Sequence, residues 1–152
     1  MTASVSNRPK LLIPGLAAFY SGSPILAYTL VRIVIGGILF MHGLAKVKAG
    51  LSHEVEFFAQ HGFPHPALCA YVIVFFETVG SICVALGLFT RFFAAGLAID
   101  LGVAFLTIHV WRGFSASHGG FEYVLLLGLV MLTIALRGGG PFSLDRLIGK
   151  EL

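Results

Sequence analysis

The chain has 152 residues, of which 57% are hydrophobic and 11% charged, with a net charge of +3. Soluble domains carry about a quarter charged residues, so this balance excludes a water-soluble fold and leaves room for one membrane-embedded domain. The surplus of Lys and Arg follows from loop charge and contact with acidic lipid, and requires no nucleic acid.

In chain order, Met1–Ser23 carries Pro9 and Pro14, lacks a long apolar core and runs directly into a full-length span. It therefore reads as a cytoplasmic tail with a surface-lying segment at Leu11–Tyr20, and not as a cleaved signal peptide. Crossing about 30 Å of hydrocarbon takes about 20 apolar residues in a helix. Four stretches meet that length: Pro24–Lys46, Pro66–Phe89, Phe92–Gly113 and Gly120–Arg137. The expected fold is all-α, an integral membrane four-helix bundle, with residues 1–23 and 138–152 as tails around a domain at 24–137. Arg8, Lys10, Arg91, Arg137, Arg146 and Lys150 fall on one side of this arrangement, and Lys46, Lys48 and Arg112 on the other. The richer side is cytoplasmic by the positive-inside rule, which puts both ends inside.

Between the first two spans, Leu51, Val55 and Phe58 share one side of a helix with Glu54 and His61 on others, predicting a weakly amphipathic helix at the outer interface. Gly62, Pro64 and Pro66 break it. The connection at Thr90–Arg91 makes the second and third spans antiparallel neighbours. After the fourth span, Gly138, Gly139, Gly140 and Pro141 end the helix, and a short capped turn begins at Ser143. Cys69 and Cys83 lie roughly 21 Å apart on one helix, too far to bridge.

Ionisable groups at membrane depth are costly and mark either function or packing. Arg32 and Asp100 fall roughly 12 Å from the inner face and Glu77 roughly 18 Å, each on a different helix. They form a candidate ion-pair cluster and the candidate catalytic set. A structural staple between Arg32 and Glu77, with Asp100 reaching cytoplasmic water, fits the same spacing. Arg32, Gly36, Leu39, Gly43 and Lys46 share one helix face, and Glu77, Gly80, Val84, Gly87 and Arg91 share another. These two faces are expected to meet.

The outer half holds His42, Lys46, His109 and Glu122, with His53, His61, His65 and His118 in loops. A site or pH-responsive surface fits this gathering, as does a chance accumulation of polar groups at one interface. Haem between His42 and His109 is disfavoured, because Asp100 and His109, nine residues apart, point to opposite sides of an α-helix. No histidine spacing matches a metal motif, so no metal is expected. A quinone pocket needs His42 or Lys46 to donate to a carbonyl oxygen, Glu122 to pass a proton outward, and aromatic walls such as Phe40, Tyr71, Phe105 and Trp111.

Arg32-x3-Gly36, His42-Gly43-x2-Lys46, Glu77-x2-Gly80, Gly87-Leu-Phe-Thr-Arg91, Glu122 and Gly138-Gly-Gly-Pro-Phe-Ser-Leu-Asp145 together resemble the DoxX family of small four-helix membrane proteins. The likeness runs from about Thr29 to Asp145. It implies a subunit associated with quinone-related or oxidative-stress systems in the bacterial cytoplasmic (inner) membrane, often beside a redox protein. The family's polar positions fall on Arg32, His42, Lys46, Glu77, Arg91 and Glu122, whereas Asp100 and the loop histidines have no place in its pattern.

The expected function is a membrane subunit of a quinone-linked oxidoreductase system, with His42, Lys46, His109 and Glu122 as the quinone or substrate site, no covalent cofactor, and a larger membrane or soluble redox protein as partner. The alternatives are a non-catalytic assembly subunit packed against a larger complex, and a small transporter. The latter lacks the inverted repeat and broken helices of that class.

Overall fold

The computed structural model describes residues 11–151. The part of the expected N-terminal tail that carries Arg8 and Lys10 lies outside the described residues. A 3-10 turn at Pro14–Leu16 leads into α1, Ala17–Ala49. This helix begins seven residues before the expected start at Pro24 and passes through that proline. Proline has no amide to offer the carbonyl of Tyr20. The Ser23 hydroxyl donates to that carbonyl at 3.3 Å, and Ser21 does the same for Ala18 at 2.6 Å. Residues 17–23 are therefore the first turns of α1 and not a separate surface-lying segment.

Gly50, at φ 97°, ends α1 and turns the chain into α2, Leu51–Gln60. The rod Pro66–Leu86 follows, made of α3 (Pro66–Phe75), a π-turn (Phe76–Gly80) and α4 (Ser81–Leu86). Next come α5 (Thr90–Ala104), a second π-turn (Phe105–His109) and a 3-10 turn (Val110–Arg112). The last helices are α6, Glu122–Arg137, and α7, Leu144–Ile148.

Three helices are long and apolar enough to cross a membrane: Pro14–Ala49, Pro66–Leu86 and Thr90–Arg112. With 16 residues, α6 covers about 24 Å at helical rise, short of a hydrocarbon core about 30 Å thick. Among the described residues there are thus three full-length spans and one shorter apolar helix. Leu30, Val34, Leu68, Phe92, Ile99 and Leu129 are exposed around the outside, an apolar surface suited to lipid.

Helix α1 runs antiparallel to the rod Pro66–Leu86, and small residues set their separation. A methyl on Gly36 would fall 2.7 Å from the Ser81 carbonyl oxygen, and one on Gly43 would fall 2.7 Å from the Glu77 carbonyl carbon. These are the faces expected to meet, with one difference: Gly80 lies against Phe93 of α5. Helix α6 packs along α5. Leu39, Val84, Leu97, Met131 and Ile134 close the common core at 0–1% exposure.

Candidate functional site

The antiparallel register decides which polar groups meet. Lys46 stands one turn beyond Gly43 on α1, and Gly43 abuts the backbone of Glu77, so the two side chains reach each other. Lys46 Nζ lies 2.5 Å from Glu77 Oε1. Glu77 is 5% exposed, and its second carboxylate oxygen, Oε2, is buried without a hydrogen-bond partner. A buried ion pair recovers its desolvation cost only when the remaining lone pairs are also satisfied, so this oxygen is a vacant acceptor.

Both residues line a cavity of about 520 Å³ enclosed by α1, α2, α3 and α5 and the start of α6. Asp100, His42, His109 and Glu54 also line it, among mainly aliphatic and aromatic walls. Asp100 takes part in no ion pair among the described residues. Helix α2 covers one side of the cavity, with Glu54 and Phe58 on its buried face. The expected placement of Glu54 away from Phe58 is therefore corrected. Residues 51, 54, 55 and 58 form one i, i+3, i+4, i+7 stripe, and the acid lies within it.

His109 reaches the same cavity as Asp100, against the expectation that the two diverge. The π-turn at Phe105–His109 is the cause. A π-bulge adds about one residue to a turn, so nine residues advance like eight and the angle closes from roughly 180° to roughly 80°. His109 Nδ1 donates to the Gly119 carbonyl at 2.7 Å, because a carbonyl only accepts. In the neutral ring this leaves Nε2 as an acceptor.

Arg32 is not part of this group. It is 2% exposed, and its guanidinium donates to the carbonyls of Gly139 and, at 2.5 Å, Phe142. The expected Arg32–Glu77–Asp100 cluster is thus replaced by Lys46–Glu77 with Asp100 nearby. Equal depths assume flush inner helix ends, yet α1 overhangs the inner end of the rod, which places Arg32 beside Gly87, ten residues past Glu77. Glu122 also leaves the expected set: its Oε1 accepts from the Ala116 amide at 2.8 Å and it does not line the cavity. Phe40, Tyr71, Phe105 and Trp111 are likewise absent from the walls, where Phe57, Phe58, Phe63 and Tyr123 stand instead. His53 reaches the rim, but His61, His65 and His118 do not. Among the described residues no group of three His, Cys, Asp or Glu side chains is placed to hold a metal ion.

Residues 138–151 fold back over the inner helix ends. Tyr28 donates to the Gly138 carbonyl, and Arg91 donates to those of Ala135, Leu136 and Arg137 and pairs with Glu151 at 3.2 Å. The Asp145 carboxylate, 4% exposed, accepts from the amides of Phe89 and Thr90 and from the Thr90 hydroxyl. It caps the start of α5 from 55 residues away. The clue in the sequence was Thr90 at a helix start with no acidic neighbour to cap it.

Comparison with known proteins gives a consistent picture. The DoxX family model matches residues 27–110. The chain is 35% identical over 121 residues to the Bacillus subtilis protein named "Putative oxidoreductase CatD", covering 80% of this chain and 86% of the relative. It is 31% identical over 134 residues to the Escherichia coli inner membrane protein YphA, covering 84% and 94%. An uncharacterized Haemophilus influenzae protein is 33% identical over 125 residues, covering 79% and 89%. No solved structure matches the chain.

Proposed function

Because the chain belongs to the DoxX family of membrane proteins, we propose that it is the membrane subunit of a quinone-linked oxidoreductase system in the bacterial inner membrane. In this reading the cavity holds a quinone or another hydrophobic electron carrier. The observation that carries it is a cavity of about 520 Å³ with mainly apolar walls and a few converging polar groups. Small-molecule sites have this size and character. The name of the Bacillus relative supports a redox role, and that of the Escherichia coli relative supports the inner membrane.

Bound quinone supplies two-electron, two-proton chemistry. The chain's part is to seat and orient the ring. Phe57, Phe58 and Phe63 offer ring faces and edges to an aromatic ligand. Lys46, its ammonium turned to Glu77, holds that carboxylate in place on the cavity wall. Glu77 and Asp100 present carboxylate oxygens on the cavity wall that accept from a ligand hydroxyl. The electrons pass to or from a redox protein docked on the helices.

The same reading takes α6 as a fourth crossing that completes the bundle, with both ends cytoplasmic. Its shortfall of about 6 Å is within what Phe121 and local thinning of the bilayer supply. The charge bias between Arg91, Arg137, Arg146 and Lys150 at one end and Lys46, Lys48 and Arg112 at the other supports the orientation.

The test is equilibrium dialysis of a short-chain benzoquinone against the protein in lipid nanodiscs, alongside oxidoreductase assays of native membranes with and without the chain. Saturable one-site binding, and an activity that Glu77→Gln abolishes while the protein stays folded and assembled, are expected. No binding and no dependent activity overturn the proposal. A Glu77→Gln defect confined to expression or association identifies an assembly subunit.

A further inference from the structure

The polar groups on the cavity wall are sorted by depth. Those drawn furthest from the surface are acceptors: Glu77 and Glu54 are 5% and 8% exposed, and Asp100 and His109 are half-buried. The wall residues able to donate, His42, His53, Arg112 and Tyr123, are all exposed and form the rim. Lys46 is the one deep cation among the lining residues, and its ammonium is turned to Glu77 at 2.5 Å. Thr107 donates its hydroxyl to the Val103 carbonyl at 2.7 Å, which leaves its oxygen as an acceptor as well.

Two deep acceptors are open in a defined sense. Glu77 Oε2 is buried and has no partner, an unfavourable state that a ligand donor relieves. The Gly119 carbonyl accepts from a proton on His109 Nδ1, so in the neutral ring Nε2 presents a lone pair. A ligand that satisfies such a wall must bring hydrogen-bond donors. A carbonyl-only ligand would set lone pairs against lone pairs and leave the Glu77 oxygen unpaired. An organic cation also brings donors, but burying its charge among Leu39, Ile73, Leu101 and Leu127 costs a desolvation that a neutral ligand avoids. A neutral aromatic diol satisfies both demands, with its ring in the apolar walls and its hydroxyls on the acceptors.

We infer that the cavity selects the reduced, hydroquinone form of its ligand, with one hydroxyl donating to Glu77 Oε2 and the second to Asp100 or to His109 Nε2. This rests on the reading of the cavity as a quinone-class site and adds which redox state it recognises.

The test compares three probes of nearly equal shape on the intact protein in nanodiscs under argon: a short-chain 1,4-benzohydroquinone, the corresponding benzoquinone, and the hydroquinone dimethyl ether, which keeps the oxygens but has no donors. Sites built around a ligand hydroxyl reject analogues lacking it strongly, so the hydroquinone is expected to bind about tenfold or more tighter than both others. Equal or tighter binding of the benzoquinone or the dimethyl ether overturns the inference and leaves the quinone-class reading standing. Absence of binding by all three overturns both. Asp100→Asn, which has no ion pair to lose, and Glu77→Gln each place an amide donor on the wall. At least one of them is expected to shrink the preference to about threefold or less. An unchanged preference in both variants overturns the assigned acceptors.

Discussion

Arg32 and Glu77 are both buried among helices, and each is neutralised by a different means. Arg32 takes carbonyl oxygens from the glycine-rich turn after α6, while Glu77 takes an ammonium from α1. Removing one member of a buried pair leaves the other uncompensated, so Lys46→Met is expected to lower stability by about 3–5 kcal/mol. The double change Lys46→Met with Glu77→Leu should restore most of it, as read by denaturant titration in micelles. Asp145→Ala removes three hydrogen bonds to a charged acceptor at the start of α5. A loss of about 2–3 kcal/mol is expected, visible as a lower unfolding temperature. Residue identity was legible in the sequence, since acids and cations in apolar stretches mark themselves. Their pairing was not. Arg32 is satisfied by backbone carbonyls, which leave no trace in side-chain spelling, and Glu77 meets Lys46 because Gly43 seats α1 against the Glu77 backbone, a register that helix ends alone do not give.

Among the elements, the glycine-bearing faces of the first two apolar stretches were correctly read as facing each other, because close backbone approach requires small residues at helical spacing. The contrast between Gly43 and Gly37 tests this. A methyl at Gly43 meets the Glu77 backbone at 2.7 Å, whereas one at Gly37 meets nothing within 4 Å. Gly43→Ala should cost about 1–3 kcal/mol and weaken ligand binding by displacing Lys46, while Gly37→Ala should be near neutral in the same unfolding and dialysis measurements. The π-turns at Phe76–Gly80 and Phe105–His109 were invisible to a count of 100° per residue, and they set where Glu77 and His109 point. The helix between the first two spans was legible as a helix. Its role as a cover over the cavity was not, since Glu54 reads as surface until the acceptor-lined space beneath it is seen.

For the whole molecule, composition was enough to recognise an all-helical membrane protein, and three helices carry the length to cross. The proposed orientation is testable in a variant whose Cys69 and Cys83 are replaced by Ala. Cysteine introduced at Ser117 should react with an impermeant maleimide added outside intact spheroplasts, and cysteine at Lys150 only after the membrane is opened. The reverse pattern overturns the orientation. The fold is closed by residues 138–151, which tie α1, the α4–α5 turn and the end of α6 together. The carbonyls that receive Arg32 lie 107 and 110 residues later in the chain. At about 5–20 residues per second of synthesis, that separation lasts on the order of ten seconds. For that interval the nascent chain holds a guanidinium near the inner helix ends whose partners do not yet exist, so interfacial water and lipid headgroups must solvate it until the C-terminal residues emerge.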